Sequence, residues 1–190
     1  LRAEVAREAR RLGVRSPRVR SLPSIRSPFL VGLRRPVLCW PEADGPIPPH
    51  ARAAVILHEL AHVKRRDLWT AWIEAAARCV WWWNPLIHYA ASQTRRLREL
   101  ACDAWVVERH PTDRNAYARA LLEAASAPSA PSPAGLAESL GWIGSGSRVR
   151  ERLRALYGDR RPARTPAATG ALVALLFAAS LPGLGAPDSA

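Results

Sequence analysis

The sequence predicts an α+β fold, mainly helical, with a small sheet near its N-terminus and a membrane-spanning helix near its C-terminus. Three observations carry this. Prolines at 17, 23, 28 and 36 forbid long helices between Val14 and Trp40 and leave short apolar runs bounded by turn residues. From Ala53 onward, apolar residues recur at helical spacing over segments several turns long. Between Arg164 and Asp188 no residue is charged, a run long enough to cross a bilayer of roughly 30 Å. A chain of 190 residues can hold one domain with a real core beside such a span.

Taken in order, Leu1 to Arg11 reads as a short charged helix, with Val5 and Ala9 among Arg2, Arg7 and Arg10. It is expected to continue the cytoplasmic extension of a membrane helix lying before it. Val19 to Leu22, Phe29 to Val31 and Val37 to Trp40 are the strands. A loop with four prolines, Pro41 to Pro49, leads into a buried helix that begins near Ala53. Asp67 stands where it can cap the next helix, Leu68 to Val80. Around this helix crowd Trp69, Trp72, Trp81, Trp82 and Trp83, while Glu74 and Arg78 argue against a full membrane crossing. Such a density marks a helix lying at the lipid interface, or else a tryptophan-rich core. Asn84-Pro85 opens a helix reaching Arg109, where His110-Pro111 stops it. Asn115 to Ala125 is amphipathic, with Tyr117, Leu121 and Leu122 facing inward. Ala127 to Ala134 is a Ser/Pro/Ala-rich linker, an accessible place for self-cleavage, and Ser147 to Tyr157 forms a last helix closed by Gly158.

Chemistry concentrates in His58-Glu59-Leu60-Ala61-His62, the H-E-x-x-H pattern of zinc peptidases. Residues four apart lie one above the other on a helix, so both imidazoles can face one ion. Glu59 is one position round from His58 and can reach a metal-bound water without being a ligand. A helix that merely carries two histidines would show the same letters. A zinc site also needs a third protein ligand, and Glu99 and Asp103 share a helical face downstream. Glu99 can coordinate while Asp103 orients a ligand histidine from behind. Alone, Glu99 would read as half of an ion pair with Arg95, Arg96 or Arg98; the histidine pair favours the ligand reading. His88 is three helical turns from Glu99, too far to share its ion, and His110 beside a helix end reads as solvated.

Four segments together carry a family resemblance. His58-Glu-Leu-Ala-His62-Val-Lys-Arg-Arg-Asp67, Trp82-Trp-Asn-Pro-Leu-Ile87, Arg98-Glu-Leu-Ala-Cys-Asp103 and the upstream Ser27-Pro-Phe-Leu-Val-Gly-Leu-Arg-Arg-Pro-Val-Leu38 occur in one order. The chain from about Leu12 to about Tyr157 resembles the membrane metallopeptidases of the BlaR/MecR type. That resemblance implies a zincin-like domain over residues 1–164 and a gluzincin site holding one zinc ion per chain. His58, His62 and Glu99 would be the ligands, Glu59 the catalytic base, and Asp103 and Asp67 the groups behind the histidines. It also makes the small sheet a candidate to bind substrate as an added strand, although the sheet can equally serve only to cover the core. The implied reaction is metal-assisted hydrolysis of a peptide bond. Tyr117 or one of the arginines can stabilise the oxyanion, but no spacing selects one.

The formal net charge of +12 rests almost wholly on arginine, Lys64 being the one lysine. A basic face favours anionic lipid or nucleic acid. No helix-turn-helix, zinc-finger or aromatic RNA-binding signature accompanies it, so membrane lipid is expected and direct nucleic-acid binding is not. Cys39, Cys79 and Cys102 are odd in number and lack C-x-x-C spacing, which fits a reducing compartment. Arg160, Arg161 and Arg164 precede the expected span at 165–187, which orients the domain to the cytoplasm of a bacterial inner membrane and residues 188–190 away from it. Pro182 and Gly183 fall within that span, and a buried hairpin helix is its alternative. The chain lacks methionine and opens at Leu1, so a fragment of a multi-pass protein is expected. Its substrate is then a cytoplasmic protein, such as a repressor or the chain itself. A membrane quality-control protease and a non-proteolytic membrane sensor or scaffold are the other readings. Oligomeric state leaves no mark in the sequence.

Overall fold

The computed structural model describes residues 1–23, 25, 27–42, 47, 49–126 and 146–158. The mainly helical chain with a small mixed sheet is an α+β arrangement. Helix α1, Arg2–Leu12, closes on Gly13 in the left-handed region, at φ 64°, a conformation glycine adopts without a Cβ clash. Its Val5, Ala9 and Leu12 are buried in the main core. α1 packs against the helix that carries His58 and His62.

Strands β1 (Arg18–Leu22), β2 (Phe29–Val31) and β3 (Val37–Pro41) form a sheet in the order β1-β3-β2. β3 lies in the middle, parallel to β1 from Arg18↔Val37 to Leu22↔Pro41 and antiparallel to β2. Being central, it is the most buried strand, through Leu38, Cys39 and Trp40. The turn joining β2 to β3 needs Gly32, at φ 89°, where a Cβ would meet the Arg35 carbonyl oxygen at 2.8 Å.

Helix α2, Arg52–Arg65, is the hub: Ile56, Leu57, Leu60 and Ala61 are buried together with His58, Glu59 and His62. It touches α1, α3, α4 and α5, so nearly its whole circumference is covered. α3 (Asp67–Val80) follows after a single residue, Arg66. α4 (Pro85–Arg109) begins where the Asn84 side chain accepts a hydrogen bond from the Leu86 N–H at 2.9 Å, with proline at the first helical position. α5 (Arg114–Ser126) buries Tyr117 at 1% exposure, whereas Leu122 is 47% exposed and not inward as its spacing suggested. α6 (Gly146–Tyr157) packs on α4 and α5.

Among the described residues no helix is long and apolar enough to cross a membrane. The expected span at 165–187, the tail at 188–190 and the Ala127 to Ala134 linker lie outside the described residues.

Candidate metal centre

α2 presents His58 and His62 one turn apart, at 6% and 4% exposure, toward Glu99 on α4. His58 Nε2 lies 3.4 Å from Glu99 Oε2, and His62 Nε2 lies 3.7 Å from Glu99 Oε1. Donors bound to a tetrahedral zinc at about 2.0–2.1 Å are roughly 3.3 Å apart, so these three groups fit one ion with little adjustment. All three donor atoms fall within 4.8 Å of one another.

The other ring nitrogens face carboxylates. His62 Nδ1 is 2.8 Å from Asp67 Oδ2 at the start of α3. His58 Nδ1 is 3.2 Å from Asp103 Oδ1 and 2.8 Å from the Tyr117 hydroxyl, which itself donates to Asp103 Oδ1 at 2.6 Å. An N–H on each Nδ1 satisfies these acceptors, so each Nε2, when it carries no proton, turns a lone pair to the Glu99 side. Both tautomers are thus set for metal ligation from behind. Asp67 does not cap α3: the cap position is Arg66, no side chain bonds there, and the Asp67 carboxylate is spent on His62 and on Arg65 Nε at 3.3 Å.

Arg152 on α6 completes the cluster, and sequence reasoning missed it. Its Nε and Nη2 donate to the two Asp103 oxygens at 2.7 and 2.8 Å, a bidentate pair. Its Nη1 lies 3.1 Å from Glu99 Oε2, and its Nη2 lies 3.2 Å from the Tyr117 hydroxyl and 3.5 Å from His58 Nε2. One signal was available: Val149, Arg152, Leu153 and Leu156 fall on one helical face, so an arginine sits among core positions. Tyr117, by contrast, stands behind His58, bonded to Asp103. Arg98, buried at 9% exposure, ties α4 to α3 through the Asp67 carbonyl, Thr70 Oγ1 and Glu74 Oε2 at 3.3, 3.1 and 3.2 Å.

Charge follows from this packing. Burial opposes an imidazolium at His58, but the hydrogen bonds to Asp103 and Glu99 outweigh it and raise the group to about 9. Burial likewise opposes the Glu99 carboxylate, yet Arg152 above all, with both histidines, holds it down at about 2. Asp103 is driven below the usual carboxylate range by Arg152 in the same way, against its burial. Glu59 goes the other way: burial raises it, with only partial relief from the histidines. Its Oε2 is buried with no hydrogen-bond partner among the described residues, a polar atom left free for something the protein itself does not supply.

A second grouping, His62, Asp67 and Cys102, shares the His62 Nδ1 edge. Burial, then Asp67 and Glu99, push the Cys102 thiol well up. Neither His88 nor His110 joins the centre. His88 Nε2 is 2.8 Å from the Trp82 carbonyl, and His110, 19% exposed, is not simply solvated but lies 3.3 Å from Asp113 and 3.8 Å from the buried Glu8.

Residues 2–156 match the family described as BlaR1 peptidase M56, a match that begins ten residues earlier than the visible resemblance and takes in α1. Regulatory protein BlaR1 of Bacillus licheniformis is 31% identical over 86 residues, which are 45% of this chain and 14% of that protein. The match thus spans only a small part of the relative's length. With four-fifths of its length under the family pattern and a histidine pair facing a carboxylate, the chain belongs to the BlaR1 peptidase M56 family.

Proposed function

We propose that the chain is the catalytic part of a membrane-anchored zinc metalloendopeptidase of the gluzincin type, acting in a signal-response pathway. One observation carries it: two histidines backed by carboxylates turn their Nε2 atoms to the two oxygens of one glutamate, at 3.4 and 3.7 Å. Zinc held by His58, His62 and Glu99 would act as a Lewis acid, making water a nucleophile near neutral pH and polarising the scissile carbonyl. Glu59, whose carboxyl is raised by burial, takes the proton of the attacking water and hands it to the leaving amine. Asp103 and Asp67 hold the histidine rings in the ligating tautomer. Arg152, bidentate on Asp103 and 3.1 Å from Glu99, holds both carboxylates ionised and in place.

In this reading residues 1–164 form the zincin-like catalytic domain, facing the cytoplasm, and 165–187 its membrane anchor. The relative's name, a regulatory protein, supports a signalling role in which a cytoplasmic protein, a repressor or the chain itself, is cut. The test compares new protein termini in the native host carrying wild type or Glu59→Gln. One or two cuts confined to wild type support the proposal, with zinc content equal in both proteins. Turnover in Glu59→Gln would sink the base assignment, and many scattered cuts in membrane proteins would replace signalling by quality control.

A further inference from the structure

α3 is built inside out. Its buried side carries charge: Asp67 faces His62, and Glu74, 14% exposed, pairs with Arg98. Its apolar stripe, Trp69, Trp72, Ile73 and Val80, recurs at helical spacing yet is 45, 62, 66 and 56% exposed. The turn beyond it and the start of α4 add Trp82, Trp83, Leu86 and Tyr89, all more than half exposed. Of the twelve exposed large hydrophobic residues among those described, eight fall between 69 and 89, so the exposure is concentrated in one stretch of the chain. The four tryptophans alone leave on the order of 500 Å² open, more than a soluble surface normally tolerates.

We propose that this face, the outward side of α3 with the α3–α4 turn, seats the domain on an anionic lipid bilayer, with α3 lying in the membrane interface. Composition selects the occupant. Tryptophan and tyrosine, apolar rings with a polar N–H or O–H, prefer the headgroup boundary to a dry protein interface. Exposed Lys64 and Arg66 stand at the head of α3, and the whole chain carries +12, a complement to anionic headgroups. The inward side of the same helix borders the metal centre, since Leu68 and Ala71 line a small pocket with His62 and Glu99. A helix with its side chains is about 10–12 Å across, so docking sets the scissile bond roughly that far from the headgroups. Resting on the peptidase reading, this defines the substrate class: extended segments lying next to the membrane surface.

Cys79 provides the probe. It is exposed on α3, while Cys39 and Cys102 are buried, so a polarity-sensitive nitrobenzoxadiazole label goes to Cys79 in the full chain. With vesicles of phosphatidylcholine and phosphatidylglycerol, the label's emission is expected to shift blue and to be quenched by lipids brominated near the headgroup. The Trp72→Ser/Ile73→Ser variant, with unchanged circular dichroism and zinc content, should bind vesicles about tenfold or more weakly. A label that stays water-like while the chain sediments with vesicles would mean attachment through another segment, and overturns the proposal. A blue shift that depends on protein concentration and needs no lipid would assign the face to a second copy and overturn it too. Glu59→Gln should dock like wild type, so failure of the peptidase reading leaves this result standing.

Discussion

His58 and His62 are equally buried, but what holds them differs in kind. His62 is held by Asp67, five residues on and across one turn. His58 is held by Asp103 from α4 and Tyr117 from α5, with Arg152 from α6 clamping Asp103. The first arrangement is local, the second is assembled from four helices. Removing Asp67 (Asp67→Ala) should lower zinc affinity roughly 10–100-fold, the usual loss when a ligand histidine's outer partner goes. Competition against a chromophoric chelator measures this, and unchanged affinity would show that Asp67 does not orient His62. Glu99→Ala removes a donor outright and should cost more than Asp67→Ala in the same assay. If Glu99→Ala keeps wild-type affinity, Glu99 is not a ligand. His58, Glu59, His62 and Glu99 were legible because helix periodicity turns sequence spacing into direction. Arg152 was not: of the four arginines between 148 and 154 its apolar helical face marks it for the core, but only the packing of α6 brings that face to Asp103 and Glu99.

At the scale of elements, the joint between α2 and α3 decides the centre's geometry. Arg66 closes α2 and opens α3 in the left-handed region, at φ 59°, the one non-glycine residue with positive φ among those described. That single residue folds the chain back so that Asp67 reaches His62. A side chain costs about 1 kcal/mol or more in this conformation, and a β-branched one costs more. Arg66→Gly should therefore match wild type in stability to within about 1 kcal/mol, the relief of strain being offset by the greater freedom of the unfolded chain. Arg66→Val should lose about 1–2 kcal/mol in chemical denaturation and weaken zinc binding with it. Equal stability of the two variants would mean the joint is not strained. Here the sequence suggested a capping aspartate, since aspartate before an apolar run is a common helix start. A histidine one turn back outcompeted the backbone for that carboxylate, and nothing local in the sequence ranks the two.

For the whole molecule, the centre gathers buried charges of both signs that the core must keep balanced. In the metal-free chain His58 is raised from 6.5 to about 9, so the stability it contributes is full below pH 6.5 and is lost as pH rises through about 9. Glu99, lowered from 4.5 to about 2, acts in the opposite sense: its contribution is present above pH 4.5 and lost as pH falls toward 2. The thermal midpoint of the metal-free protein should thus fall on both sides of a plateau between about pH 5 and 6.5. With zinc bound, His58 is already deprotonated, and the alkaline decline should be blunted. Melting curves with and without a chelator read this directly, and identical alkaline slopes would contradict it. The sequence by itself determined the helical class, the proline-limited strands, the buried motif helix and which side chains can face a metal. These depend on residue type and short-range periodicity, which act within a few turns. Tertiary structure alone decided that α1 belongs to the core, that Arg152 joins the centre and that α3 turns its tryptophans outward. Each depends on which surfaces meet across long stretches of chain, and a helical stripe states that a face is apolar without stating what will cover it.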